Sequence, residues 1–293
     1  MYGEQKRRTF AEAAANWAED VGQHRKGWDR DWYRLQALVE DIGEDWTDDV
    51  DNARIDSAIP KAAEAAASRN HYRSLARSVL RHEARNGRLT AAPPIRMERV
   101  SNQRVRYLAD WQEAERLVSA MPEHWQDPAR FSLLTGVRQG TLRALRMDWI
   151  HGDLLVIPGA HTKSGRQLAI PLSDDALTIV RRQTPAVHLF TRPDGKPLGR
   201  MENSVWRRVL ERSKIKDFRW HDLRHTWASW MMMTGEVSLY ELQLLGDWST
   251  PAMVQRYAHL APGYLRSVVR RASARLPRNV LDSGETEPNC AGS

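Results

Sequence analysis

Residues Ala91–Ser101, AAPPIRMERVS, interrupt a chain that is otherwise patterned for helices. Adjacent prolines lack backbone N–H groups, and each biases the residue before it toward extended backbone, so no regular helix crosses this stretch. With no clean periodicity around it, the segment reads as a linker at 93–103. A chain of 293 residues divided there builds two cores: a helical domain over 1–92 and a larger one over 104–275. Residues 276–293 carry too few apolar side chains to pack and read as a disordered tail.

The first block has amphipathic helical patterns over Thr9–Val21, with Phe10, Ala13, Ala14 and Trp17 on one side, and over Asp29–Ile42, through Trp32, Leu35 and Leu38. A third helix is expected to start near Ile59-Pro60, and a longer one to cover Ser68–Asn86. In that long helix Arg69, Arg73, Arg77, Arg81 and Arg85 recur every four residues beside an apolar side of Tyr72, Leu75, Ala76, Val79 and Leu80. Like charges at this spacing repel by a few tenths of a kcal/mol each, a penalty that a phosphate backbone would offset. A solvated face partly neutralised by Glu64 and Glu83 is the other reading. The formal net charge of +7 favours a polyanionic partner without choosing among nucleic acid, an acidic membrane surface and a merely basic exterior.

Beyond the linker, Asp110–Met121, Trp125–Thr135 and Gly140–Met147 read as helices. Two β-prone runs, Leu154–Pro158 and Gln167–Pro171, flank the turn-rich connector GAHTKSGR and form a hairpin with Lys163 near its tip. Helices resume over Asp174–Gln183 and Glu202–Ser213. The fold class is therefore mainly α with a small antiparallel sheet. No run approaches the roughly 18 apolar residues of a membrane helix, and MYGEQKRRTF lacks the apolar region of a secretory signal. The single cysteine, Cys290, excludes an internal disulfide and fits a reducing cytoplasm.

In Arg219–Leu260 the segment Asp222–Thr234 reads as a helix stopped by Gly235. Leu223, Trp227, Trp230 and Met231 gather on one side, with His221, Arg224 and His225 on the other. Thr250 and Pro251 mark a second helix start, which turns Tyr257 inward as either a core tyrosine or a nucleophile. Taken singly, Lys163 fits a solvated tip, His221 and Arg224 a helix-start network, and Trp248 a core tryptophan.

The ordered set Arg138, Lys163, His221, Arg224, Trp248 and Tyr257 resembles the tyrosine recombinase family, phage integrase type. It is carried by Thr135-Gly136-Val137-Arg138, Thr162-Lys163-Ser164-Gly165, His221-Asp222-Leu223-Arg224-His225-Thr226, and Leu244-Leu245-Gly246-Asp247-Trp248 with Tyr257 nine residues after Trp248. The resemblance implies a helical, SAM-like core-binding domain followed by a catalytic domain of the DNA breaking-rejoining fold. It implies double-stranded DNA attachment sites as substrate, a homotetramer on DNA, accessory DNA-bending proteins as further partners, and no metal or other cofactor. Without a metal, phosphodiester cleavage needs fixed positive charge on the non-bridging oxygens, which guanidiniums supply. The resemblance casts Arg138 and Arg224 in that role, Tyr257 as nucleophile, His221 as base, Lys163 as general acid, and Trp248 as an N–H donor or a buttress. The arginine stripe from Arg69 to Arg85 becomes a DNA-binding face of the first domain.

One position departs from the family pattern: Thr141 stands where a glutamate would balance Arg138, and the candidate substitutes are a hydroxyl or a carboxylate from elsewhere, such as Asp148. No arm-site domain is expected ahead of the first helices, so the protein is a two-domain enzyme or its true start lies upstream. The alternatives are a catalytically degraded DNA-binding protein of the same fold and a type IB topoisomerase-like enzyme.

Overall fold

The computed structural model describes residues 7–25, 27–100, 104, 106–261 and 269–270; the expected tail at 276–293 lies outside them. The chain divides into two units, Met1–Asn102 and Gln103–Ser293, each with a core of its own.

In the first unit α1 (Phe10–Asp20) starts at a capping box between Thr9 and Glu12. It packs with α2 (Trp28–Ile42), α3 (Asn52–Ala58) and α4 (Ala66–Arg85) through Phe10, Trp17, Leu35, Leu38, Ile55, Val79 and Leu80. The helix expected to start near Ile59-Pro60 ends there instead. Asp51 caps α3 by accepting from the Arg54 N–H at 2.8 Å, and Ile59 is extended, with φ −72° and ψ 125°, as a residue before proline prefers.

The stretch read as a linker is bound to the first unit over its earlier part. Ile95 enters the core, and the Asn70 side chain both donates to the Glu98 carbonyl and accepts from the Glu98 N–H, each at 2.8 Å. Extended backbone held by side chains of another element leaves no periodic trace in its own sequence.

The second unit runs α5 (Trp111–Ser119), α6 (Glu123–Thr135) and α7 (Gln139–Ala144). A three-stranded antiparallel sheet follows, in the order β1 (Ile150–His151), β2 (Leu154–Ile157), β3 (Leu168–Pro171). The expected hairpin is β2–β3, with Leu155 opposite Ile170 and both buried; β1 adds a short third strand. Then come α8 (Asp174–Arg181), α9 (Asn203–Ser213), α10 (Asp222–Met233) and α11 (Leu239–Leu245). Among the described residues no helix is long and apolar enough to cross a membrane.

Helix α10 is not split into an apolar and a cationic face. Leu223 and Trp230 meet the main core, while Trp227, Ala228 and Met232 join a second cluster with Leu242, Val254 and Tyr257. Arg224 is buried between them. Beyond α11, two 3-10 turns, Pro251–Met253 and Gln255–Leu260, replace the single expected helix, and the Thr250 side chain caps nothing. Val254 and Tyr257, three residues apart, turn inward together, a spacing that three residues per turn aligns.

Candidate active site

The start of α10 is fixed before any chemistry is. Asp222, buried at its first position, accepts from the Arg219 N–H at 2.8 Å and from the Arg104 guanidinium at 2.9 Å. A carboxylate there also suits the positive end of the helix.

One half-turn on, Arg224 is 4% exposed. Its Nη1 donates to the Gly136 carbonyl at 2.6 Å and its Nη2 to the Gly246 carbonyl. Gly136 and Gly246 are the C-caps of α6 and α11, so one guanidinium serves carbonyls at two helix ends, where a cation is favoured. Both glycines are needed for close approach: a Cβ at Gly136 would meet the Trp227 ring at 2.2 Å, and one at Gly246 the Trp248 ring at 1.9 Å. The Trp248 ring lies 4.1 Å from the Arg224 guanidinium and stacks on Trp227. Burial, and then repulsion from Arg138, push the Arg224 pKa down to about 9. It is still charged at neutral pH, and among the described residues none of its hydrogen-bond partners is a carboxylate.

Arg138 reaches the same turn from the N-cap of α7. Its Nη2 donates to the Asp247 carbonyl at 2.7 Å and its Nη1 to the Asp247 carboxylate at 2.8 Å. Asp148, the candidate substitute for the missing glutamate, pairs with Arg146 at 2.7 and 2.8 Å instead. Thr141 donates to the His161 carbonyl at 3.2 Å, tying α7 to the β2–β3 connector.

Tyr257 is wholly buried. Its hydroxyl lies 2.5 Å from Nδ1 of His225, and its ring is 5.9 Å from that of Trp248. Burial pushes the phenol up to about 12 against the opposing pull of Arg224 and Arg256. Burial, then the neighbouring His221, push His225 down to about 4. Both groups are neutral at pH 7, and in the Nε2–H tautomer the phenol donates to Nδ1. His221 stands at the exposed rim of the site, its ring 5.1 Å from that of His225. Its pKa is also lowered, first by lost solvation on the protein side and then by Arg224.

The model of the phage integrase family matches residues 109–263. The integrase of Salmonella phage P22 is 30% identical over 323 aligned residues, 92% of this chain and 81% of that one. The chain belongs to the phage integrase family. As a member it is a tyrosine recombinase, an enzyme that cleaves and rejoins DNA strands. A shufflon-specific DNA recombinase of Escherichia coli is 32% identical over 131 residues, 44% of this chain and 33% of that protein. A lambda integrase tetramer bound to a Holliday junction shares the fold at a TM-score of 0.69 and 17% identity, over 86% of this chain and 78% of that one. The Tn1549 transposon integrase in complex with circular intermediate DNA shares it at 0.67 and 14%, over 85% and 95%.

Of the six residues singled out from the family motifs, the phage integrase fold gathers Arg138, Arg224, Trp248 and Tyr257 around the 246–248 turn, with His221 at its edge. Lys163 is bonded to none of them, although its neighbour Thr162 lines a small cavity with Arg138 and Arg224. It is exposed on the β2–β3 connector and forms no hydrogen bond or ion pair among the described residues. Next to it the Thr162 hydroxyl lies 3.0 Å from the Gly159 carbonyl and 2.8 Å from the Arg166 carbonyl, donating its one proton to one of them and closing the connector.

Two contacts are not visible in the sequence. His225, given no role there, is the group that touches the Tyr257 hydroxyl; its spacing of four from His221 placed both on one face, but not which ring reached inward. Asp247 lies in a turn after a helix end, where no periodicity reports side-chain direction.

In the first unit the structure divides the arginine stripe. Arg69 is held by Glu98, and Arg73 by Asp56 and Glu98, each at 2.6 Å. Among the described residues Arg77, Arg81 and Arg85 form no ion pair, and with Arg25 and His82 they line a polar pocket of about 180 Å³.

Proposed function

We propose that this recombinase acts at specific attachment sites in duplex DNA, with Tyr257 as nucleophile, to integrate or excise a phage or other mobile element. The phenolic oxygen forms a bond to phosphorus, the bond from phosphorus to the 5′ oxygen breaks, and the strand is held as a 3′-phosphotyrosine that conserves its energy for religation. Arg138 and Arg224 meet the charge on the non-bridging oxygens. His221 accepts the phenolic proton, and Lys163, carried in on its exposed connector, supplies one to the departing 5′ oxygen.

The observation that carries this reading is Arg224: a buried, charged guanidinium with only backbone carbonyls as hydrogen-bond partners, sharing the Trp248 ring with the one buried phenol nearby. Since the Tyr257 hydroxyl is buried against His225, attack requires that contact to break as DNA binds. Arg77, Arg81 and Arg85 are the arginines of the stripe best placed for phosphate. The solved lambda integrases, a dimer on a core site and a tetramer on a Holliday junction, support a homotetramer on two duplexes; accessory DNA-bending proteins as further partners rest on the family resemblance alone. The place of action is the bacterial cytoplasm.

The test incubates the full chain in EDTA with a nicked duplex whose sequence the protein has itself selected from a randomised pool. A denaturant-resistant protein–DNA adduct is expected, and Tyr257→Phe abolishes it. Tight binding without an adduct identifies a DNA-binding protein that has lost cleavage, and relaxation of supercoiled plasmid regardless of sequence identifies a topoisomerase.

A further inference from the structure

Asp247 occupies a backbone position that works against an ordinary side chain. Its φ is +50°, the left-handed region where glycine is free and aspartate is merely tolerated. Yet its carboxylate is 9% exposed and bonded to Arg138, while its own carbonyl takes the second Arg138 nitrogen. The carbonyl just before it, that of Gly246, holds Arg224. Two consecutive peptide units thus anchor both arginines of the site, and only one anchor carries charge.

That charge has a specific task here. Arg138 and Arg224 lie close enough to repel, and each lowers the cost of bringing in an anion only if both stay aligned. Thr141, one turn beyond Arg138, offers a hydroxyl that is turned toward the His161 carbonyl. It lines the same small cavity as Arg138, Arg224 and Asp247. The carboxylate absent at position 141 is therefore supplied by another residue lining that cavity, Asp247.

We propose that Asp247 is the positioning residue for Arg138, fixing the plane of its guanidinium by a carboxylate and a carbonyl so that the outer edge remains for a phosphate. The inference rests on the recombinase reading above. It also explains why an acidic side chain is retained in a left-handed turn: the turn aims the Asp247 carbonyl and carboxylate at one guanidinium, which two separate partners would do with less constraint.

The experiment measures adduct formation on the self-selected nicked duplex, with DNA affinity determined in parallel. An absent wild-type adduct overturns the recombinase reading itself, an outcome distinct from any difference between wild type and variants. Asp247→Asn keeps the shape and the left-handed backbone, which asparagine tolerates equally, and Asp247→Gly relieves that backbone; both remove the charge. With the wild type cleaving, each variant is expected to cleave about 10- to 100-fold more slowly at an affinity within about threefold of wild type, since a small misplacement of a transition-state group costs rate more than binding. Adding Thr141→Glu to Asp247→Asn restores part of the rate by returning a carboxylate to the lining of that cavity. Cleavage by Asp247→Asn at or above the wild-type rate overturns the proposal, because Asp247 would then compete with phosphate. Equal losses of binding and cleavage, or no recovery with Thr141→Glu, overturn it as well.

Discussion

The arginines of α4 and those around α10 share a residue type and a net positive neighbourhood, but not the kind of partner that holds them. Arg69 and Arg73 end on carboxylates, Glu98 and Asp56, which fix them and neutralise them. Arg224 ends on two backbone carbonyls, which fix it and leave its charge intact. Arg138 is intermediate, with one carbonyl and one carboxylate. Among the described residues Arg77, Arg81 and Arg85 have neither kind of anchor. What decides whether an arginine serves an anionic ligand is thus the charge of its protein partners as much as its exposure.

The strongest way to break this contrast is at Arg224. Arg224→Lys keeps a charge but cannot span two carbonyls with a planar fork, and cleavage is expected to fall by about 10²- to 10³-fold, the range for losing one preorganised transition-state donor. Single-turnover adduct formation measures it; a variant cleaving within a few-fold of wild type would show that charge alone, without the carbonyl anchors, is enough.

His225 extends the comparison to a neutral pair. His225→Ala leaves the buried Tyr257 hydroxyl without its partner, at a cost of about 1–3 kcal/mol in stability, read from denaturant unfolding of the catalytic unit. The wild type should also carry an acid-sensitive component. Because the folded His225 is pushed down to about 4, the unfolded chain takes up its proton first as pH falls. The contribution is therefore constant above about pH 6.5 and lost progressively between there and about pH 4. The variant lacks that slope, and an unchanged slope would assign the acid sensitivity to other groups.

The smallest effect separates the two ends of the stripe. Arg77→Ala should weaken binding to all sequences alike and flatten the salt dependence by about one unit of slope. Arg73→Ala, whose side chain is 7% exposed, should leave that slope unchanged and instead destabilise the first unit by roughly 1.5–3 kcal/mol, as expected for hydrogen bonds to charged groups. Matching slopes in the two variants would erase the distinction drawn between paired and unpaired arginines.

Much of this molecule is legible along the chain, where local rules suffice. The apolar side of Thr9–Val21 marks α1, Gly136 the end of α6, and two β-prone runs around a turn-rich connector the β2–β3 hairpin, because helical periodicity, left-handed glycine and turn chemistry act over a few residues. The expectation failed at Ile59-Pro60, where a proline that can open a helix closed one, and at Thr250-Pro251, where inward packing of Val254 and Tyr257 selected 3-10 turns. It also failed for α10, where the pattern sets His221, Arg224 and His225 on a side apart from the apolar residues but Arg224 is buried.

The order and spacing of Arg138, Arg224, Trp248 and Tyr257 point to this chain's family and, through the resemblance, to the side chains proposed for the chemistry. They cannot say that Arg224 joins the ends of two helices, that His225 rather than His221 holds the phenol, or that a carboxylate after α11 stands in for one missing from α7. Those contacts join residues between 22 and 109 positions apart, and their geometry comes from how helices and turns pack, which no local pattern encodes.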